Sequence, residues 1–268
     1  MPSFTDQLGR TILLPSFPQR IISLVPSQTE LLYALGLETD VAGITKFCVH
    51  PNSWFRSKPR IGGTKDVRFD AVHALQPDLI IANKEENDRE QVEELSRHYP
   101  VWISDVRTLD DALQMITALG ALTGKEQAAH TLVKGISAGF EALSPGTSPK
   151  TAYFIWRKPW MVAGGDTFIQ DMLQRCGFDN LFRDQIRYPS IALETLAAAG
   201  CELVLLSSEP FPFRDKHIAE VREAMPRASI QLVDGELFSW YGSRLLEAPA
   251  YFRQLQDRVA ATCYPPPR

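Results

Sequence analysis

Short apolar runs rich in β-branched residues alternate with segments of helical periodicity along most of the 268-residue chain. Predicted strands cover residues 20–24, 41–47, 78–82 and 101–104 in the first half, and residues 151–156, 161–163, 203–207 and 230–233 in the second. Predicted helices cover residues 28–35, 70–75, 90–98, 167–176, 193–199, 217–224 and 249–262. This alternation is typical of an α/β fold with mainly parallel sheets.

The alternation stops between residues 109 and 143, where the pattern predicts two helices broken near Gly120 to Gly124. The second helix is predicted over residues 125–143 and would span about 30 Å. It is either a long surface helix of one domain or a rigid strut between two lobes. The strut interpretation gives an N-terminal lobe over residues 1–122, a bridging helix and turn over 123–148, and a C-terminal lobe over 149–268.

A repeat of pattern supports two related lobes. Residues 69–81 can be laid over residues 193–205 without a gap. In each copy a carboxylate near the start of a short helix, Asp70 or Glu194, precedes by eight residues an acidic residue that opens a strand, Asp78 or Glu202. Asp70 and Glu194 either complement the helix dipole or grip basic residues on a two-fold symmetric partner.

Composition narrows the classes of function. With 28 basic against 32 acidic residues, the net charge of -4 disfavours a nucleic-acid partner. The first residues lack the pattern of an export signal, and no run approaches the roughly 18 apolar residues of a membrane helix. The cysteines at 48, 176, 201 and 263 have neither zinc-finger nor C-x-x-C spacing.

The loops that follow the predicted strands carry the candidate chemistry, because ligands of parallel sheets bind beyond the carboxyl ends of the strands. A single aromatic residue is most often part of the core. Here, however, several aromatics lie among Pro, Gly, Ser and basic residues, which favours a mostly apolar binding pocket: Trp160, Phe211, Phe213, Trp240 and Tyr241.

Catalytic interpretations are weaker. No nucleophile-elbow, zinc-protease or phosphate-loop motif occurs. His50 with Cys48 falls short of a metal site, and the adjacent Glu85 and Glu86 are typical of a solvated turn.

Four motifs in order carry a family likeness: Phe4 to Ile12, Gln19 to Glu30, Ile61 to Gly63 and Leu75 to Ile81. Together they resemble the solute-binding proteins of cobalamin, haem and ferric-siderophore ABC importers, and the cobalamin-binding branch most closely. The resemblance implies two α/β lobes bridged by a single long backbone helix, with a ligand cleft between the lobes and only small closure on binding. It implies no enzymatic activity, no protein-bound metal and no cofactor.

The resemblance also assigns residues. Asp70 and Glu194 occupy the places that dock on arginines of the permease dimer, although Asp70 is one methylene shorter than the usual glutamate. Phe47 stands at the place of a cleft tyrosine, and Thr64 stands where that branch has a tryptophan. Cys176 matches a half-cystine whose usual partner is not a cysteine here, which leaves a bridge to Cys263 open.

The implied function is delivery of a metal chelate by a monomeric periplasmic protein. A corrinoid is the expected chelate, and haem or a ferric siderophore is the alternative. Flat rings would stack on Trp156, Trp160, Phe211 and Trp240. Basic side chains could contact carboxylates or amides on the ligand periphery. The candidates are Lys46, Lys84, Arg157, Lys158, Arg214 and Arg244. The complete predicted ligand-binding set is Phe47, His50, Lys84, Trp156, Lys158, Trp160, Phe211, Phe213, Trp240, Tyr241 and Arg244.

Two other functions stay open at this stage. The chain could be a cytoplasmic ligand sensor or salvage protein if Met1 is the native start. It could also be a chelatase-like enzyme on a similar fold, which would depend on His50, Glu85 or Glu209.

Overall fold

The computed structural model describes residues 2–144 and 146–263, except for the side chain of Cys263. The chain forms two compact α/β units. Unit 1 contains residues 2–106, 110–135 and 241–243, and unit 2 contains residues 107–109, 136–240 and 244–263. The division therefore falls within a helix, between residues 135 and 136.

Unit 1 is built on a four-stranded parallel sheet. A small antiparallel hairpin, β1 (Ser3–Thr5) and β2 (Thr11–Leu13), precedes it. The sheet has the order β4-β3-β5-β6, formed by β3 (Ile21–Ser23), β4 (Val41–Ile44), β5 (Leu79–Asn83) and β6 (Val101–Ser104). Its helices are α1 (Pro26–Ala34), α2 (Asn52–Ser57), α3 (Phe69–Leu75) and α4 (Arg89–Ser96).

Two longer helices follow, α5 (Leu109–Leu122) and α6 (Glu126–Glu141). The apolar face of α5 is buried at helical spacing, at Ala112, Met115, Ile116, Leu119 and Leu122. The predicted break between two helices is confirmed at residues 123–125, and α6 ends two residues before the predicted boundary. The single bridging helix and its domain boundaries stay predictions.

Unit 2 contains a mixed sheet of order β10-β8-β7-β11-β12, with β9 also paired to β7. Its strands are β7 (Lys150–Trp156), β8 (Trp160–Val162), β9 (Asp179–Asn180), β10 (Ser190–Ile191), β11 (Leu203–Ser207) and β12 (Ser229–Val233). Strands β7, β11 and β12 are parallel, whereas β8 runs antiparallel to both β7 and β10. Its helices are α7 (Phe168–Arg175), α8 (Leu193–Ala198), α9 (Asp215–Ala224), α10 (Glu236–Ser239) and α11 (Ala248–Cys263).

The α/β alternation predicted from the sequence is confirmed, and each predicted strand has a counterpart in one of the two sheets. The sequence pattern did not predict the hairpin, helix α2 or the short strands β9 and β10. Each of these strands contains only two or three residues, and the helix contains six. Such short segments bury too few residues to produce a periodic pattern. None of the helices within the described ranges is long and apolar enough to cross a membrane.

The internal repeat is present in the backbone. Helices α3 and α8 begin at equivalent positions, as do strands β5 and β11. The equivalent residues Gln76 and Gly200, which follow the two helices, both adopt positive φ, at 43° and 70°. The second carboxylate of each copy also makes an equivalent hydrogen bond. Asp78 accepts the backbone N–H of Arg20 at 2.9 Å, and Glu202 accepts that of Lys150 at 2.8 Å.

Candidate functional site

At the carboxyl edge of the unit 1 sheet, Phe47 is the most exposed of the predicted aromatic ligand contacts. It lies in the loop after β4 with 52% of its surface exposed, and the Lys46 ammonium sits 5.2 Å from its ring centroid. A Cβ on Gly63 would approach the Phe47 ring to 3.2 Å, so the ring lies directly over this glycine. The loop therefore presents one flat apolar face next to a cation.

Buried polar groups fix this loop from below. The Cys48 thiol is fully buried and lies 3.1 Å from both the Thr29 and the Thr45 hydroxyl oxygens. Burial raises the pKa of the Cys48 thiol, which keeps it protonated and disfavours it as a metal ligand. His50 is half-buried, and no set of three or more metal-binding side chains occurs among the residues with described placement.

Two asparagines that sequence reasoning missed organise the neighbouring loop, which follows β5. The side chain of Asn83 accepts the backbone N–H groups of Glu85 and Glu86, at 2.8 and 3.0 Å. Asn87 accepts the Asn83 N–H at 2.8 Å and donates to the Thr64 carbonyl at 2.9 Å. The signal available in the sequence was a polar residue ending a fully buried strand. In this loop, Lys84 forms an ion pair with Asp105 at 2.6 Å.

At the carboxyl edge of the unit 2 sheet, aromatic rings form a continuous cluster. Trp156, at the end of β7, meets Phe211 edge-on with centroids 5.7 Å apart, and Phe211 lies 4.8 Å from Phe213. Phe213 stacks on Trp160 with an interplanar angle of 6°. Trp156 is 40% exposed and Phe213 only 5%, so the cluster has an exposed end and a buried end. Apolar surface at the exposed end is available to a ligand.

Arg157 holds the rim of this aromatic cluster. Its guanidinium donates two hydrogen bonds to the Glu220 carboxylate, at 2.8 and 2.9 Å, and lies 5.8 Å from the Trp160 ring. The hydrogen bonds from Arg157 lower the pKa of Glu220 below its ordinary value of 4.5. This geometry fixes α9 to the loop after β7.

The Glu220→Gln variant should therefore show a weaker pH dependence of stability. Because the pKa of Glu220 is lower in the folded protein, its contribution is present above pH 4.5 and is lost as the pH falls through the folded-state pKa. The side chain is 36% exposed, so we expect a difference of at most about 0.5 kcal/mol. Urea unfolding at a series of acidic pH values measures it. Glu223→Gln, at an exposed position of the same helix, is the control, and an identical loss of stability in all three proteins would contradict the prediction.

A third group lies beyond β11 and β12. Trp240 donates its indole N–H to Glu209 Oε1 at 3.0 Å, and the Ser239 hydroxyl donates to the same oxygen at 2.6 Å. Burial raises the pKa of the Glu209 carboxyl, and these two hydrogen bonds oppose that shift. Arg244 lies over the Trp240 ring at 4.9 Å and forms an ion pair with Glu236 at 2.9 Å.

The structure separates the predicted ligand-binding residues into two groups. Surface is available at eight of them: Phe47, His50, Lys84, Trp156, Lys158, Trp160, Phe211 and Arg244. By contrast, Phe213, Trp240 and Tyr241 are only 5%, 8% and 6% exposed. Phe213 belongs to the apolar core of unit 2, and Trp240 is held between Glu209 and Arg244. The burial of all three residues favours a supporting role over direct ligand contact.

Asp70 and Glu194 are exposed and lie in the first turns of α3 and α8. Neither carboxylate makes a hydrogen bond or an ion pair with any residue of the described ranges. The second carboxylates of the repeat, Asp78 and Glu202, instead accept backbone N–H groups at the beginning of neighbouring strands. Asp70 and Glu194 are thus available to an external partner.

A cavity of about 520 Å³ lies at the amino edge of the unit 2 sheet, away from the predicted contacts. It is lined by residues that include Cys201, Glu202, Met225, Arg227 and Thr262. Cys176 is buried and its pKa is raised by burial, whereas the side chain of Cys263 lies outside the described residues. Cys176 is a free cysteine in the structure, which does not support the bridge to Cys263 that the sequence left open.

Comparison with known proteins gives the family. A sequence profile described as periplasmic binding protein matches residues 21–227. The vitamin B12-binding protein of Vibrio campbellii is 27% identical over 214 residues, which cover 78% of this chain and 77% of that protein. Both the profile and this relative are described as binding proteins and not as enzymes.

Solved structures agree on the fold. The periplasmic vitamin B12-binding protein of Vibrio cholerae superposes with a TM-score of 0.78 at 20% identity, covering 91% of this chain and 99% of that chain. The periplasmic heme-binding protein of Roseiflexus sp. RS-1 gives 0.76 at 20% identity, covering 92% and 99%. The α/β units and the resemblance found in the sequence agree with the profile, which matches most of the chain. The chain therefore belongs to the periplasmic binding protein family.

Proposed function

We propose that this chain is the solute-binding component of an ABC importer, located in the periplasm, and that it delivers a metal chelate of the corrinoid class to a membrane permease. The observation that carries the proposal is the aromatic cluster at the carboxyl edge of unit 2, with Trp156 exposed at its end and Phe211 behind it. A flat macrocycle has the shape and apolar area to cover such rings.

Unit 1 contributes a second contact edge. Phe47 and Lys46 offer an aromatic face and an ammonium group, while buried hydrogen bonds hold the adjoining loops in place. Preorganised loops lower the entropic cost of binding. These loops of unit 1 are therefore expected to provide ligand contacts of their own.

The relatives support the choice of ligand class. The Vibrio campbellii protein is described as binding vitamin B12 and matches along most of both chains. Haem and ferric siderophores are the alternative chelates, and the neighbour that binds heme shares only the fold at its 20% identity.

Delivery requires a contact with the permease, and we assign this role to Asp70 and Glu194. They are exposed, carry no internal partner among the described residues, and occupy equivalent positions of the repeat. Carboxylates of this kind form strong charge-assisted hydrogen bonds with arginine. A monomeric binding protein would present one such carboxylate from each unit.

Calorimetric titration of the purified protein tests the ligand class. Cyanocobalamin, haemin and a ferric hydroxamate would be titrated separately, and we expect cyanocobalamin to bind most tightly, with a Kd of about 1 µM or below. Tighter binding of haemin or of the ferric hydroxamate would reassign the ligand. The absence of binding to all three would overturn the proposed function.

A further inference from the structure

Glu209 occupies a fixed position at the ligand-binding edge of unit 2. It follows β11 in the loop that also carries Phe211, and its backbone is held by Ser207, whose hydroxyl donates to the Glu209 carbonyl at 2.6 Å. A Cβ on Gly235 would lie 2.6 Å from Glu209 Cγ, so only glycine leaves room for this side chain. The carboxylate therefore cannot be displaced without moving its neighbours.

The two oxygens of this carboxylate are not equivalent. Oε1 accepts both the Ser239 hydroxyl and the Trp240 indole N–H. Oε2 accepts no hydrogen bond from any residue that the structure describes. A carboxylate oxygen accepts hydrogen bonds only, so the partner that suits Oε2 is an N–H or O–H donor.

The charges around Glu209 also favour a hydrogen-bond donor over an anionic group of the ligand. Asp234 and Glu236 both act on it as neighbouring negative charges. Arg244, whose guanidinium lies over the Trp240 ring, is already paired with Glu236. Among the predicted ligand cations of unit 2, Arg157 is likewise engaged by Glu220. A ligand carboxylate placed at Oε2 would meet repulsion from the Glu209 carboxylate itself.

From this geometry we infer that Glu209 is a specificity-determining residue: its Oε2 accepts a hydrogen bond from a primary amide on the rim of the chelate. The site would thus favour a macrocycle with an amide rim over one with a carboxylate rim. This inference rests on the proposed function and adds the group by which the site selects among chelates.

The experiment compares wild type with Glu209→Gln, using cyanocobalamin and the set of its rim monocarboxylic acids, in each of which one amide is replaced by a carboxylate. Glutamine can keep an oxygen toward Ser239 and Trp240 but then places an NH₂ group where Oε2 was. Wild type should bind cyanocobalamin at least about tenfold more tightly than one of these acids. In the variant, cyanocobalamin binding should weaken about tenfold, and discrimination against that acid should disappear.

Glu223→Gln is the matched control, since Glu223 is exposed on α9 and belongs to no contact edge; it should behave as wild type. If Glu209→Gln does not fold, Glu209→Asp keeps the charge but withdraws the oxygens by one methylene, and it should also weaken discrimination. Cyanocobalamin binding with the same discrimination in wild type and variants would overturn this inference alone. Failure of wild type to bind any chelate would overturn the proposed function, and the inference with it.

Discussion

Trp156→Ala should weaken ligand binding by about tenfold to a hundredfold while leaving the protein folded. The ring is 40% exposed and touches Phe211 at the open end of the aromatic cluster, so its exposed face is the part that a ligand can cover. A ligand over this face buries apolar surface of both the ring and itself, and a total of about 60 to 120 Å² at about 25 cal/mol per Å² gives about 1.5 to 3 kcal/mol, which corresponds to this range of affinity. Calorimetric titration with cyanocobalamin measures the change.

Ile186→Ala is the control for this prediction. Ile186 is 76% exposed in unit 2 and contributes no ring to the cluster, so its removal should leave the dissociation constant unchanged. Thermal unfolding of both variants separates a binding defect from a folding defect. Wild-type affinity in a folded Trp156→Ala protein would show that the exposed end of the cluster does not contact the ligand.

Reversal of two charges, Asp70→Lys together with Glu194→Lys, should reduce uptake to below about a tenth of the wild-type rate without changing ligand affinity. Both carboxylates are exposed and have no partner among the described residues, so we expect the substitutions to weaken the contact with the permease and not the fold. The variant would be measured by uptake of radiolabelled cobalamin in cells that carry the cognate permease, and by titration of the purified protein.

The control must change the net charge equally. Glu126→Lys with Glu223→Lys does so at exposed helical positions outside the repeat, and Glu126 also lies in the first turn of a helix, as Asp70 and Glu194 do. This control should keep normal uptake. Since a lysine in a first turn also opposes the helix dipole, the thermal stability of both double variants must be compared. Normal uptake by the Asp70 and Glu194 variant would remove the assigned docking role.

Hydrophobic periodicity was sufficient to predict the alternation of strands and helices, because the central strands β3, β5, β7 and β11 are almost entirely buried and each long helix has one apolar face. The repeat was also readable: equivalent residues begin α3 and α8, and the positive φ of Gln76 and Gly200 shows that the similarity extends to the backbone. Sequence spacing could not show the strand-capping role of Asp78, since the N–H that it binds belongs to Arg20, 58 residues away.

The sequence by itself determined which loops carry the candidate chemistry, since the order of strands assigns each loop to the carboxyl edge of a sheet. Only the tertiary structure decided which aromatic residues are exposed: Trp156 keeps an open face, whereas Trp240 is buried and hydrogen-bonded to Glu209. It also decided which cations are neutralised, because Arg157 meets a carboxylate 63 residues away. Burial and charge pairing depend on contacts between distant segments, and local residue patterns do not encode those contacts.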